Sequence, residues 1–546
     1  MKKTITKLVT GIALMGTSMI AQTSSWQWAD GAGGTANEAG NGVAVDAAGN
    51  TYVTGSYLSS SITFGTTTLT NSGGIDFYLV KYDASGNVVW AKGATGASND
   101  VGYNLTVDAT GNAYVVGTTN SASLTIGTFG LASSGSDDVF MTKFDASGNV
   151  VWAKRTGGSG NDIGQSISID ASGNSYITGY FASPSITFGA TTLTNVGGND
   201  FYLVKYDASG NVVWAETAGG SANDAGMGVA TDVTGNIYAT GSFSSSSITF
   251  GTTTFTNGGG IDYFTVKYNA AGAVVWAKTA SGASNDVGYN IKVDANKNPI
   301  VVGSFNSSTL TFGATALTLN AGDDIFIVKY DSLGNVSWAK SAGGNANDVG
   351  ESISIDAAGN SYITGYYGSP SLVFGATTLT NAGTNNIYLA EYNSSGTAIW
   401  AKNAGGTSDD RGAAIAVDAN GSSYITGYYT STTISFGTNT LTNGGTEDMY
   451  VAKYGTPFST DIDKVKANNM DANVYPNPNN GSFIFEMPGI ATNAYCMVYD
   501  VTGKLVLSQT ITGKTIVDAS TLNEGVYNIS LQSNEGVVNK KLVIVK

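Results

Sequence analysis

Two sets of acidic side chains recur along this chain on one beat of 62 residues. The first is Glu38, Asp100, Asp162, Asp224, Asp286, Asp348 and Asp410, most of them preceded by Asn. The second is Asp76, Asp138, Asp200, Asp262, Asp324, Asn386 and Asp448. Repeated carboxylates could hold a hard cation, which takes several converging oxygens, or act as an acid and base pair on a glycosidic bond. Each period offers one Asn–Asp pair and one further Asp, and no Asp-x-Asp-x-Asp-Gly loop. A Ca²⁺ site at Asp100, Asp162, Asp224, Asp286, Asp348 and Asp410 is therefore the weaker alternative. Hydrogen bonding from loop amides is the stronger, because Asp and Asn close turns in that way. A catalytic pair should break the symmetry, and Glu351, the one acid that does so among the candidate ligand positions, has no obvious partner. The chain has no histidine, which excludes His-based acid–base catalysis, Ser–His–Asp triads and His-ligated zinc or copper. No catalytic residue and no resident cofactor are assigned.

A third set varies where its surroundings are constant: Asn41, Tyr103, Gln165, Met227, Tyr289, Glu351 and Ala413. Variation inside a strict repeat means that the fold has stopped dictating the residue. These side chains open the first strand of each period. If that strand is innermost, they line a channel mouth and are the ligand-binding candidates, an inference from fold analogy. Neutral drift would leave the same pattern. Trp28, Trp90, Trp152, Trp214, Trp276, Trp338 and Trp400 also keep the beat. They could stack on sugars, but their identical setting points to structure, each covering the outer strand of its own unit.

The elements that position these residues follow from the third period. Residues 166–169 alternate large and small, Asp170 to Gly173 fits a turn, and 175–180 returns. Residues 201–206 and 212–215 make a second hairpin around Asp207 to Gly210. Each period is thus a four-stranded antiparallel sheet with one bulky and one small face, which packs radially as a β-propeller. The repeat begins with a lone fourth strand at residues 26–30 and ends after a third strand near 449–454. The expected fold is all-β: a seven-bladed propeller over residues 22–454, its N-terminal strand closing the last blade. The long connection 59–74 should form a Thr-rich hairpin on the acidic rim, a common place for recognition. The turns at 296–299 and 420–423 depart from the pattern and should be altered. The repeat resembles the SBBP family of bacterial β-propeller repeats, with NHL-like similarity in residues 45–55.

Composition and the two ends give the address. Net charge is −15, and −17 of it falls in residues 22–454, offset mainly by Lys2, Lys3 and Lys7. An acidic propeller argues against nucleic acid and anionic membrane surfaces as partners. The single cysteine, Cys496, excludes an intrachain disulfide. Residues 1–21 read as a signal peptide, and no later segment is apolar over the ~18 residues that a transmembrane helix needs. After a linker at 455–471, residues 472–546 alternate as a small β-sandwich. They carry Tyr475-Pro476-Asn477-Pro478, a turn with Gly503 and Lys504, Gly525 and Tyr527, and Lys540-Lys541. This stretch resembles the type A C-terminal sorting domain of the type IX (Por) secretion system. The resemblance implies export through the periplasm, recognition by the outer-membrane translocon and sortase, and surface attachment or release. The resulting expectation is a secreted or cell-surface propeller that acts as a binding or adhesion module for an extracellular glycan or protein. The alternatives are a carboxylate-based polysaccharide-degrading enzyme and a purely structural spacer.

Overall fold

The computed structural model describes residues 24–280, 282–456, 472–486, 493–500, 505–533 and 536–546. The leader at 1–21, the linker from residue 457 to 471, and Gly503 and Lys504 lie outside the described residues. The chain divides into two compact units, Met1–Thr456 and Pro457–Lys546.

The first unit holds seven four-stranded antiparallel sheets. In the third, the strands Asp162–Ile169, Ser175–Phe181, Asp200–Tyr206 and Val212–Ala218 lie side by side in chain order. Their turns form because an Asp carboxylate stands in for a strand partner. Asp170 Oδ1 accepts the amides of Ser172 (2.9 Å) and Asn174 (3.0 Å), while Oδ2 takes the Asn174 side chain (2.8 Å). Apolar side chains of each sheet bury against those of the next. In the cluster that closes the ring, Val43, Val53 and Tyr78 of the first sheet meet Ala416, Tyr424 and Val451 of the seventh.

The seventh sheet takes its strands from both ends of the repeat. Asp410–Val417, Ser423–Tyr429 and Asp448–Gly455 are joined by Ser25–Ala32 in the fourth place. Trp26 pairs with Tyr454, Ala29 with Ala452 and Ala32 with Met449. This is the closure expected from the offset start and finish of the repeat.

Three local expectations need correction. The tryptophans do not simply cover their own blades. The indole N–H of Trp90 donates to Ala146 O (3.3 Å), in the turn between the last two strands of the next blade. Trp214, Trp276 and Trp338 do the same to Ala270, Ser332 and Ser394, each at 3.2 Å. The turn glycine lies flat on the indole: a Cβ at Gly148 would stand 2.9 Å from the Trp90 ring. Each latch is a hydrogen bond worth about 1 kcal/mol added to aromatic burial, and it joins neighbours rather than capping one sheet.

The Thr-rich hairpin, Ser61–Phe64 with Thr67–Thr70 in the first blade, folds against the outer strand rather than standing on the rim. Ile62 and Phe64 are fully buried, and Phe64 packs on Tyr78 with ring centroids 4.9 Å apart. A Cβ at Gly65 would meet the Val88 side chain at 3.1 Å. Alternating apolar residues require a core, and the outer sheet edge supplies one.

The two departing turns keep their shape. Gly421 holds the usual left-handed position at φ 78°, so that the change in blade seven falls on Ser422 alone. In blade five, Lys297 takes the glycine's place at φ 65°, the only non-glycine residue there among the described residues.

The second unit is a sandwich of a three-stranded sheet, Asn473–Tyr475, Ser482–Glu486 and Lys514–Asp518, and a four-stranded one. The latter contains Asn493–Tyr499, Leu505–Thr512, Gly525–Ser533 and Gly536–Ile544. Phe483, Phe485, Cys496, Val498 and Ile529 are buried between them.

A left-handed backbone costs a side-chain-bearing residue about 1–2 kcal/mol. Lys297→Gly should therefore raise the free energy of unfolding by about 1 kcal/mol, the gain being reduced by the added freedom of the unfolded chain. Thermal or urea unfolding checks this; an unchanged or lower midpoint would show that the turn is not strained.

Candidate functional site

The innermost strand of every blade carries a β-bulge, and the bulged residue is the variable one. In the first blade Gly40 pairs with Gly55 and Gly42 with Thr54, which leaves Asn41 without a partner. The same shift skips Tyr103, Gln165, Met227, Tyr289, Glu351 and Ala413. A bulge re-aims the side chain of its extra residue. Here it frees that residue from the alternation between two packed faces. The bulge needs glycine opposite it: a Cβ at Gly55 would lie 1.9 Å from Ala39 O. In four blades a buried tyrosine donates to the carbonyl at the bulge, Tyr78 to Ala39 (2.9 Å), Tyr202 to Ile163, Tyr388 to Val349 and Tyr450 to Arg411.

All seven bulged side chains are half-buried. They line one cavity of about 200 Å³ together with Asn104 and Asn290. The polar lining is amide, phenol and one carboxyl, with Met227 and Ala413 as its apolar part. Burial pushes the Glu351 carboxyl up to about 7, against the attraction of Arg411. Burial likewise lifts the Tyr103 hydroxyl to about 12 and raises that of Tyr289 further. The mouth is thus able to bind polar groups, and Glu351 can hold or release a proton near neutrality.

Sequence reasoning missed the residues that make this mouth asymmetric. Arg411 follows the buried acid of blade seven, where the other blades have Ala39, Val101, Ile163, Ala225, Val287 and Val349. Its guanidinium stands 4.3 Å over the ring of Tyr366 and 5.9 Å from that of Tyr428. Its Nε donates to Asp409 at 3.0 Å. Tyr366 and Tyr428 occupy a second-strand position that is Ser56, Thr118, Ser242 or Ser304 in four other blades. The signal was the same departure from the repeat, two residues before the bulge for Arg411 and on the second strand for the tyrosines.

The acidic sets lie beneath the loops. Asp162, fully buried, accepts the amide of Gly158 (2.7 Å) and the hydroxyl of Ser183 (2.7 Å). The Ser183 oxygen in turn accepts Gly160 N at 2.9 Å. Asp224 and Asp410 repeat this arrangement with Ser245 and Ser431, and Glu38 accepts Gly34 N and Ser59 N. Asp100, Asp286 and Asp348 accept the hydroxyls of Ser121, Ser307 and Ser369. Among the described residues, no three His, Cys, Asp or Glu side chains are grouped as ligands for a metal.

In the second set, Oδ2 of Asp76, Asp200, Asp324 and Asp448 accepts a loop amide. Oδ1 of these four and of Asp138 is buried without a partner. Blade six shows what that oxygen lacks. With its amide turned to satisfy both atoms, Asn386 donates to Asn385 O (3.1 Å) and accepts from Ala382 N (3.2 Å). A protonated Asp could donate in the same way. Burial, aided by the adjoining acid of the other set, raises Asp100, Asp200, Asp286 and Asp324 to about 6.

In the C-terminal unit, the Tyr475 hydroxyl donates to Glu486 Oε2 (2.5 Å). Asn477 ties the segment holding Pro476 and Pro478 to the last strand. Its Nδ2 donates to Lys541 O (2.6 Å) and its Oδ1 accepts Val543 N (2.8 Å). Tyr527 donates to Asn523 O (2.8 Å), two residues before Gly525. Lys540 lies beside Lys541 on that last strand, Gly536–Ile544.

Comparison with known proteins now decides what these units are. Residues 473–545 match the secretion system C-terminal sorting domain, and residues 89–125 and 151–180 match the beta-propeller repeat. The chain carries a propeller repeat and a type IX sorting domain. The sorting domain marks it for export to the cell surface or extracellular space and implies interaction with the secretion machinery. No helix among the described residues is long and apolar enough to cross a membrane. The propeller is similar to an uncharacterized WD repeat-containing protein of Acanthamoeba polyphaga mimivirus, 25% identical over 479 residues, covering 71% of this chain and 34% of the relative. A regulatory protein, FlaEY, of Caulobacter vibrioides is 29% identical over 139 residues, 25% of this chain and 14% of its own. The chain thus spans a third or less of these relatives. Among solved structures, a fungal alcohol oxidase has a TM-score of 0.38 at 10% identity over 96% of this chain and 100% of its own.

The buried acids fix the pH response. A carboxyl raised to about 6 in the fold favours folding below its unfolded value and loses that contribution as pH rises through 6. Turn acids such as Asp145, held low by hydrogen bonds from Asn149, lose theirs as pH falls below the ordinary carboxylate range. The melting temperature should therefore peak near pH ~4, decline as pH rises to about 6, and level off above that. Asp324→Asn should flatten that decline while leaving the acid limb; a decline as steep as in the unaltered chain would refute the assignment. EDTA should leave the melting temperature nearly unchanged, whereas a large loss restored by Ca²⁺ would make the rim a metal site.

Proposed function

We propose that this secreted protein is a surface binding module, non-catalytic, whose ligand is taken at the mouth of the propeller channel. The observation that carries this reading is the asymmetry of that mouth. Variation alone can arise by drift, and Tyr103 and Tyr180 place phenols on blades two and three as well. The charged pair is confined to one side: Glu351 lies on blade six and Arg411, stacked over Tyr366 and facing Tyr428, on blade seven. Amides, phenols and a carboxyl suit polyhydroxylated ligands, and a stacked arginine suits carboxylate or phosphate groups. The ligand class that fits is an extracellular glycan or an exposed protein loop. On this reading the outer-membrane translocon and sortase act on residues 472–546, through the segment that Asn477 ties to the last strand and Tyr475 to Glu486.

Two experiments test the proposal. On a glycan and peptide array probed with the full chain, Arg411→Ala or Glu351→Gln should lower the signal of genuine ligands at least ~10-fold, the size of a lost charge-assisted contact. Ligands that bind both variants undiminished, or an array without hits, would sink the mouth as the site. Removal of residues 472–546 should leave a folded propeller in the periplasm of the producing cell, and normal surface display of the shortened chain would overturn the sorting role.

A further inference from the structure

The seam between blades six and seven differs from every other junction, because the ring closes there. Elsewhere the turn between the last two strands of one blade is seated on the tryptophan of the blade before it. At this seam the position belongs to the two ends of the propeller chain, Ser24 and Gly455, linked by a hydrogen bond from Tyr454 to Ser24 O (3.2 Å). Trp400 therefore has no turn beneath which to latch. Its indole N–H reaches the carboxylate of Glu391 instead.

Glu391 is itself the exception at its position. The corresponding residues are Lys81, Lys143, Lys205, Lys267, Lys329 and Lys453. In five blades the ammonium stands over the ring of the tyrosine paired with it on the neighbouring strand. The distances are 4.8 Å for Lys81 and Tyr52, 4.7 Å for Lys143 and Tyr114, and 5.3 Å for Lys205 and Tyr176. Lys267 and Lys453 stand 5.0 Å from Tyr238 and Tyr424. Lys81, Lys267 and Lys329 also donate to the same turn carbonyl that the tryptophan uses, at 3.3, 3.1 and 3.5 Å.

At the seam the tyrosine remains and the cation does not. Tyr362 pairs with Glu391, and its hydroxyl donates to Asp356 Oδ2 (3.2 Å), as its counterparts do to their own turn acids. Above it lies a cavity of about 380 Å³ walled by Tyr362, Trp400, Tyr454, Glu391 and Asp356. Trp400 and Tyr454 have ring centroids 4.9 Å apart, and Trp400 and Tyr362 6.2 Å. Trp400 and Tyr362, with Tyr454 packed against Trp400, form an aromatic wall beside a carboxylate, a surface that draws an ammonium group by charge and cation–π attraction. Burial also holds the Glu391 carboxyl above its ordinary range, so that it gains from a cationic partner.

We propose that the seam cavity is a second binding site, distinct from the channel mouth, and that it takes a primary alkylammonium group such as an exposed lysine side chain. The ligand occupies the place that the chain's own lysines fill in the other blades. The partner is then a lysine-bearing peptide segment, and the site is a docking point on the rim opposite the buried acids.

Calorimetric titration of the full chain with Nα-acetyl-lysine amide tests this, with the Nε-acetylated compound as the neutral control. The lysine derivative should bind saturably, one per chain, and the control should not. Glu391→Gln keeps an oxygen for the Trp400 N–H but removes the charge, and should weaken binding at least ~10-fold. Glu391→Lys supplies the missing cation from within and should abolish binding, which keeps the test decisive if the glutamine variant folds poorly. Absence of saturable binding to the unaltered chain, equal binding of the neutral control, or undiminished binding by either variant would overturn the proposal. Arg411→Ala should leave this binding unchanged; its loss there would merge the site with the channel mouth and refute the claim of a second one.

Discussion

Ring closure is the constraint on which the rest of this propeller depends. Seven sheets of equal size bury their faces only against one another, so the first and last must meet or leave two large apolar faces in water. Strand Ser25–Ala32 supplies that meeting by pairing with Asp448–Gly455 across more than four hundred residues. Forming it costs loop-closure entropy, which grows only slowly with length. In return it secures an entire interface and covers the open edge of Asp448–Gly455 with the fourth strand that every other blade has. The same closure leaves one junction without its turn, and that omission gives the seam its cavity. A property of the whole ring thus decides the chemistry at Glu391 and Trp400.

The buried carboxylates act as internal posts for the loops. Each serves amides and hydroxyls that would otherwise lie unsatisfied beneath the connections, a penalty of about 1–3 kcal/mol per group. Asp162, Ser183 and Gly160 form such a chain, repeated around the ring. Burial, with the adjoining acid as a lesser cause, holds Asp100, Asp200, Asp286 and Asp324 nearer to protonation, and blade six has Asn386 in place of the second acid. The acidic character of the chain therefore overstates the charge that the rim presents to solvent.

Much of the fold was legible because the period is strict. Alternation gave the strands, Asp–Gly spacing gave the turns, and the offset ends gave the closure. The tryptophan was legible as structural but not as a latch between blades. In a strict repeat, position fixes a residue's phase within the unit and says nothing of which copy it touches: Trp90 meeting Ala146 looks the same as Trp90 meeting its own turn. The bulge was hidden for a related reason, since an extra residue present in every copy leaves the period unchanged. Variation at Asn41, Tyr103 and their counterparts marked the positions that prove to be bulged, without showing why they were free to vary. Arg411 carried the same signal two residues before Ala413 on the first strand, and Tyr366 and Tyr428 carried it on the second, so a comparison restricted to the bulge position passes over them.

Departures from the repeat also have a spatial order. A symmetric ring presents the same surface seven times and so cannot prefer one ligand orientation; preference has to come from the exceptions. The charged exceptions at the mouth, Glu351 and Arg411, and at the seam, Glu391, lie on blades six and seven. Arg411 is already stacked on Tyr366 and tied to Asp409. A side chain held in this way has lost its rotamer freedom before any ligand arrives, and that lowers the entropy lost on binding. Stacking of this type contributes roughly 0.5–2 kcal/mol, enough to hold the guanidinium in one place yet small beside the folding free energy. On the proposed reading, the rigid blades would supply the position and the few unsymmetrical side chains the selectivity.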